Sequence, residues 1–223
     1  MAWDEVWEKI FKNQEWGKYP SEDVIRCVAR NFYKVENRQE IKILEIGCGT
    51  GANLWFVAKE GFSCYGIDGS AEAIKIASER INNEFPYAKV ELKIGDFSSL
   101  PYEDNMFDLI IDNEAICCNE FNDSIKIYEQ IHKKLKNGGL LYTKTFAEGS
   151  WGFNTGELVG YNAWIVDEGP LKGKGYSRFT KKEDIPKLLK GFSIKELEMV
   201  SRTADNLQQE VKEWVVIANK ETY

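Results

Sequence analysis

A chain of 223 residues, 43% hydrophobic and 29% charged, is long enough for one α/β domain with a full core and too short for two sizeable ones. Its net charge of −7 argues against a broad phosphate-binding surface, since affinity for nucleic acid comes mainly from Lys and Arg; no nucleic-acid partner is expected. No apolar run reaches the roughly 18 residues of a membrane span, "MAWDEVWEKIFK" lacks the apolar core of a leader, and five cysteines (Cys27, Cys48, Cys64, Cys117, Cys118) without a C-x-x-C pair read as reduced thiols rather than a disulfide or zinc framework, so a cytoplasmic protein with no membrane partner and no metal is the expectation.

Trp3, Val6, Trp7, Ile10 and Phe11 recur at helical spacing, which predicts an amphipathic first helix. Gly17 and Pro20 break it, and Ser21 caps a second helix carrying Val24, Val28 and Phe32. A regular alternation follows: strand "KILEIG", helix "NLWFVAKEG", strand "SCYGID", helix "SAEAIKIASERINNE", strand "AKVELKIGD", strand "FDLIID", helix "DSIKIYEQIHKKLKNGG" and strand "LLYTKTF". Such alternation with short links specifies a parallel sheet covered on both faces. "FSIKELEMV" and "EVKEWVVIANK", separated only by "SRTADNLQQ", read as an antiparallel pair. The expected fold is therefore a doubly wound, mostly parallel seven-stranded α/β sheet with a C-terminal antiparallel pair. The chain divides into an N-terminal helical cap (1–38), a cofactor-binding core (40–146), an insertion (147–179), and a C-terminal helix with the strand pair (180–223). The insertion is rich in glycine and aromatics and shows no clean period; a loop this long in a compact domain reads as a lid or a substrate-pocket wall.

"LEIGCGTGAN" (44–53) follows the first strand and opens the next helix, the context in which a glycine loop approaches a ligand closely. Gly47-x-Gly49-x-x-Ala52 satisfies the dinucleotide fingerprint. Gly47-x-Gly49-x-Gly51, with Glu45 two residues upstream, equally fits a cofactor without phosphates. The carboxyl ends of the following strands carry Asp68, Asp96 and the run Asp112-Asn113-Glu114, where open α/β sheets bind their ligands.

"ILEIGCGTG", "YGIDGS", "GDFSSLPYEDNMFDLI" and "LKNGGLLYTKTF" together resemble, in order and spacing, the class I S-adenosylmethionine-dependent methyltransferases, over residues 40 to about 146. The resemblance implies that Gly47, Gly49 and Gly51 hold the methionine moiety of S-adenosylmethionine and that Glu45 interacts with its ammonium group. It further implies that Asp68, with Gly69 beside it, binds the ribose hydroxyls, that Asp96 and Phe97 meet the adenine, and that Asn113 and Glu114 lie beside the transferred methyl. Two subfamily features are absent. Asp112-Asn113-Glu114-Ala115 stands where adenine-amino and glutamine-amide methyltransferases carry [DN]PP[YF], and Ile116-Cys117-Cys118 stands where many relatives carry a histidine. The acceptor is thus not fixed by resemblance.

A hydroxyl acceptor needs a base, whereas an amine or a carboxylate needs little acid–base help. Glu114 is the first candidate, with Glu148 and Tyr161 behind it; the single histidine, His132, sits in the helix before the fifth strand and reads as structural. Trp16 and Tyr19 either fold over the cofactor or pack the N-terminal helices. "LKGKGYSRFTKK", with Lys172, Lys174, Arg178, Lys181 and Lys182, is either a solvated loop or the surface that meets an anionic acceptor. A small-molecule methyltransferase is the reading; the alternatives are an RNA or protein methyltransferase, an NAD(P)-dependent oxidoreductase, and a cofactor-binding protein without catalysis. No Y-x-x-x-K pair supports the oxidoreductase.

Overall fold

The computed structural model describes residues 3–221. In chain order the elements are α1 (Val6–Asn13), α2 (Glu22–Phe32), β1 (Lys42–Ile46), α3 (Ala52–Lys59), β2 (Ser63–Asp68), α4 (Ala71–Glu84), β3 (Val90–Ile94), β4 (Phe107–Asn113), α5 (Phe121–Lys134), β5 (Leu135–Phe146), β6 (Glu157–Gly160), β7 (Ala163–Ile165), β8 (Tyr176–Arg178), α6 (Ile185–Leu188), β9 (Phe192–Ala204) and β10 (Gln209–Lys220). Seven strands form one sheet in the order β3-β2-β1-β4-β5-β10-β9. The first five run parallel and β10 is antiparallel to both its neighbours, the doubly wound α/β arrangement with a C-terminal antiparallel pair.

Alternation along each strand sorts its side chains onto the two faces. Leu44 and Ile46 of β1 join the core beneath α5 and α6, with Ile110, Ile127, Ile131 and Leu188. Ile43, on the opposite face, packs with Val28 of α2, Leu54 and Val57 of α3, and Leu109 and Ile111 of β4. Full burial of each such aliphatic side chain is worth roughly 1.5–3 kcal/mol against exposure, so the central strands are pinned from both sides. The connections from β1 lead out to β2 and β3 and then return across to β4, which leaves a crevice at the carboxyl ends of β1 and β4.

Three elements differ from the sequence reading. The helix ahead of β5 ends at Lys134 rather than at the double glycine, because Leu135 leaves it to pair with Phe107, and Gly138 then turns the chain at φ +74°. β9 and β10 extend into the polar link between them and leave only a turn at 205–208. The insertion carries a small antiparallel sheet, β6-β7-β8, whose strands of three or four residues are too short to print a period. Phe153, Trp164 and Phe179 meet edge to face beneath it and seat it on Phe146 at the end of β5.

The β9–β10 turn holds three successive non-glycine residues, Asp205, Asn206 and Leu207, in the left-handed region. Leu207 is 79% exposed, so its packing returns nothing for the strain. Leu207→Gly is expected to raise the unfolding free energy by about 1 kcal/mol, read by urea titration; an unchanged midpoint would show that the turn is unstrained.

Candidate active site

A cavity of about 340 Å³ opens at the carboxyl ends of β1, β2 and β4, within the roughly 300–1,000 Å³ range of small-molecule sites. Its floor is the loop between β1 and α3. Gly47, at φ +62°, is compulsory there, because a Cβ on it would lie 2.3 Å from the Cβ of Ala115. Gly49 donates its N–H to Asp68 Oδ2 at 2.8 Å, and Ser70 donates its own to Asp68 Oδ1 at 2.8 Å. Asp68 therefore ties the glycine loop to the start of α4. Each carboxylate oxygen keeps lone-pair capacity beyond the one bond it accepts. Burial raises Asp68 above the usual carboxylate range, opposed by these two N–H bonds.

Glu45 lies on the α3 face of β1, where the alternation puts Ile43. Its Oε1 accepts a 2.6 Å bond from Asn53 Nδ2, and Asn53 Oδ1 accepts from Ser21 N at 3.0 Å. The other oxygen, Oε2, is buried with no partner among the described residues, and so is Asn113 Oδ1; both residues line the cavity. Burial pushes Glu45 up to about 8, relieved by Asn53 and reinforced by the charges of Asp68 and Asp112.

Asp112 does not line the cavity but shapes it. Fully buried at the end of β4, its Oδ1 accepts from the N–H groups of Ala115 and Ile116, and its Oδ2 from the hydroxyls of Thr143 and Tyr128. These four bonds hold the turn that presents Asn113, Glu114 and Ala115. Glu114 sits there at φ +66°, a left-handed conformation that costs a non-glycine residue on the order of 1–3 kcal/mol. Lys144 Nζ lies 3.6 Å from Glu114, 3.0 Å from Glu213 and 3.4 Å from Asp23. Burial pushes Glu114 well above the carboxylate range, as do the charge of Glu213 and a hydrogen bond with it, while Lys144 and Lys174 pull it down. Burial works against the Lys144 ammonium, but the three carboxylates around it prevail and raise it.

The roof comes from the N-terminal segment: Trp3, Trp7 and Phe11 of or beside α1, and Trp16 and Tyr19 of the following loop. Trp7, Phe11 and Trp16 meet one another with ring centroids 5.5–5.9 Å apart. Lys174 of the insertion reaches over the Trp16 ring at 4.9 Å and is the one cation on the cavity wall among the described residues.

Of the residues singled out from sequence, the cavity brings together Glu45, Gly47, Gly49, Asp68, Phe97, Asn113, Glu114, Trp16 and Tyr19. Others stand elsewhere. Gly51 is the left-handed N-cap of α3 and packs on Ala77. Gly69 lies beneath Trp3, and Asp96 accepts a turn bond from Ser98 N. Glu148 is half-exposed and pairs with Lys181 at 3.7 Å, and the Tyr161 hydroxyl donates to Asp184. Arg178 is 2% exposed and spends its guanidinium on Asn119 O, Ser124 Oγ and Thr180 Oγ1, clamping the small sheet to the start of α5. Glu148, Tyr161 and Arg178 do not line the cavity. His132 packs against Phe192, away from it. Trp3, Trp7 and Phe11 went unrecognised as site residues because their helical spacing reads as a core face; three tryptophans within the first sixteen residues was the available signal.

The sequence family described as a methyltransferase domain matches residues 37–216. Norajmaline N-methyltransferase of Rauvolfia serpentina is 30% identical over 118 residues, 52% of this chain and 40% of that protein. Phosphoethanolamine N-methyltransferase 2 of Caenorhabditis elegans is 35% identical over 118 residues, 51% of this chain and 26% of that protein. The matched stretch thus spans less than half the length of either relative. A crystal structure of a SAM-dependent methyltransferase from Methanosarcina mazei superposes with a TM-score of 0.70 at 22% identity, covering 83% of this chain and 94% of that one.

Because the folded-state value of Glu45 lies above its unfolded one, the penalty for burying it is absent below about pH 4.5, grows as pH rises, and is complete above about 8. Glu45→Gln keeps an acceptor for Asn53 and removes the charge. Its melting temperature is expected to exceed that of the parent by a margin that is small at pH 5 and widest above pH 8. A margin independent of pH would mean that Glu45 is charged in the fold throughout.

Proposed function

The chain belongs to the class I S-adenosylmethionine-dependent methyltransferase family, and on that premise we propose that its cavity holds S-adenosylmethionine and catalyses methyl transfer to a small-molecule acceptor. The observation that carries this reading is the pair of unpartnered acceptors on the wall, Glu45 Oε2 and Asn113 Oδ1, beside a loop that leaves no room for a Cβ at Gly47. A ligand that brings N–H donors and positive charge satisfies such atoms; the ammonium and sulfonium of S-adenosylmethionine supply both, whereas the phosphates of a dinucleotide bring no donor for either oxygen and would meet the Asp68 carboxylate as a like charge. When bound, the cofactor supplies a methyl group made electrophilic by its sulfonium.

The chain's own residues do the rest. The glycine loop and Glu45 receive the amino-acid end. Asp68, with oxygens still able to accept, receives the ribose hydroxyls, and Phe97 stands at the nucleoside end with Asp96 behind it. Trp7, Phe11, Trp16 and Tyr19 cover the cavity and exclude water, which strengthens every charge inside and holds the acceptor in line. Glu114 takes the proton of a hydroxyl or ammonium acceptor, and Glu213 and Lys144 set how readily it does so. Lys174 gives an anionic group on the acceptor a counter-charge. A small acceptor is favoured over a polymer by the aromatic roof and by the net charge of −7. The five free cysteines support a reducing, cytoplasmic setting; among the described residues no helix is long and apolar enough to cross a membrane.

Calorimetry tests the reading directly: S-adenosylhomocysteine is expected to bind and NADH is not, and the reverse result would overturn it. Feeding labelled S-adenosylmethionine and fractionated cell extract should move label into small molecules rather than polymer. Glu114→Gln is expected to lower turnover by roughly 10²–10⁴-fold while leaving affinity for S-adenosylhomocysteine unchanged. A base is active only after losing its proton, so the rate should rise with pH through the raised Glu114 value. Glu213→Gln removes the neighbouring negative charge and should move that limb toward acid; an unmoved limb in the initial-rate profile would exclude Glu114 as the proton acceptor.

A further inference from the structure

Gly69 follows Asp68 directly and lies outside the left-handed region, so its backbone conformation does not require glycine. Space does. A Cβ built on Gly69 would lie 2.1 Å from Cγ and Cδ1 of Trp3 and 2.4 Å from its Nε1. The indole of Trp3 therefore occupies the volume that a side chain at position 69 would fill, and it lines the cavity beside Asp68 and Phe97. It is held there by α1: Ser70 Oγ and the Glu72 N–H both donate to Glu8 across the α1–α4 contact, and Asp4 accepts from Val6 N at 2.9 Å at the start of the helix. Trp3 Nε1–H is buried with no acceptor among the described residues, which is costly for a polar group unless a ligand supplies the partner.

We propose that Trp3, delivered by the N-terminal segment into the slot that Gly69 leaves open, holds the nucleoside of the cofactor, giving the purine an aromatic face and the ribose an N–H donor. The inference rests on the reading that S-adenosylmethionine occupies the cavity. The chemistry matches on both counts: a purine has a flat π-face that stacks on an indole, and the indole N–H, which lies in the ring plane, is left to meet a ribose hydroxyl oxygen beside the stack. Gly69 is then a specificity residue as much as Trp3 is, since any larger side chain there expels the indole.

Binding is measured by calorimetry with two probes, S-adenosylhomocysteine and 5′-methylthioadenosine, which keeps the nucleoside and lacks the amino acid. Trp3→Ala is expected to weaken both by about tenfold or more, with Trp3→Phe in between. Gly69→Val, a substitution outside α1, should weaken both to a similar degree by displacing the indole. In Trp3→Ala/Gly69→Val the new side chain fills the vacated slot, so the double variant should bind more tightly than Trp3→Ala alone. Methylthioadenosine should also change the tryptophan emission of the wild type, and this change should be reduced in Trp3→Phe. Melting temperatures confirm that each variant is folded. If the wild type binds neither probe, the parent reading falls and this inference with it. If the wild type binds both and Trp3→Ala, folded, binds them equally well, the inference on Trp3 alone is overturned.

Discussion

Asp112 holds the turn after β4 with four hydrogen bonds from a position without solvent, and the geometry of the site follows from that turn. The turn places Ala115 against the glycine loop so closely that Gly47 admits no Cβ. The loop in turn is fastened by Gly49 to Asp68, and Asp68 to the first turn of α4 through Ser70. Three loops from three strands are thus locked by two carboxylates that accept almost only backbone N–H and hydroxyl bonds. Such bonds have defined directions, so the lock fixes positions, whereas apolar packing alone would fix only proximity.

The same crevice concentrates negative charge in a poorly solvated place. Glu45, Asp68, Asp112 and Glu114 all stand at strand ends, and burial is the leading cause of a raised proton affinity in each. Asp112 is compensated from within by its four donors. Glu45 and Glu114 are compensated only in part, Glu45 by one amide and Glu114 by an ammonium shared with two other carboxylates. The fold therefore tolerates these groups at a cost in stability, and the cost is relieved by whatever cation or donor enters the cavity. Stability given up at a site and recovered on binding is the usual relation between a preorganised site and its fold.

The parallel core was legible because its strands are short apolar runs flanked by glycine and its helices are long enough to show a period. Glu45, Asp68 and Glu114 were legible because a motif fixes their distance from the glycine loop. Legibility failed where contacts depend on tertiary structure alone. Arg178 carries the charge of a ligand-binding residue, yet Asn119 and Ser124, from a distant segment, and the nearby Thr180 absorb it with their oxygens. Trp3, Trp7 and Phe11 carry the spacing of a core face, yet the face they cover is a cavity. The small sheet of the insertion is encoded in ring contacts among Phe153, Trp164 and Phe179, which no local pattern reports. Asp112 was visible at its strand end, but nothing in the sequence distinguishes a carboxylate that binds a ligand from one that binds its own backbone.

The N-terminal helix joins parts of the site that the sheet keeps apart. Through Glu8 it grips the first turn of α4, at the end of β2. On its other side Trp16 lies under Lys174, and the side chain of Asp4 lies so close to Gly175 that a Cβ there would be 2.6 Å from it. Gly173 and Gly175, both at positive φ, flank the lysine. The first turn of α4 and the insertion thus share one cover. Moving α1 off the glycine loop breaks the Glu8 contacts and strips the Lys174–Trp16 contact in the same motion, because α1 and its loop are the common element of both. The cover's rings pack on one another and, through Phe11, against Gly49 of the glycine loop, so the roof of the cavity rests directly on its floor.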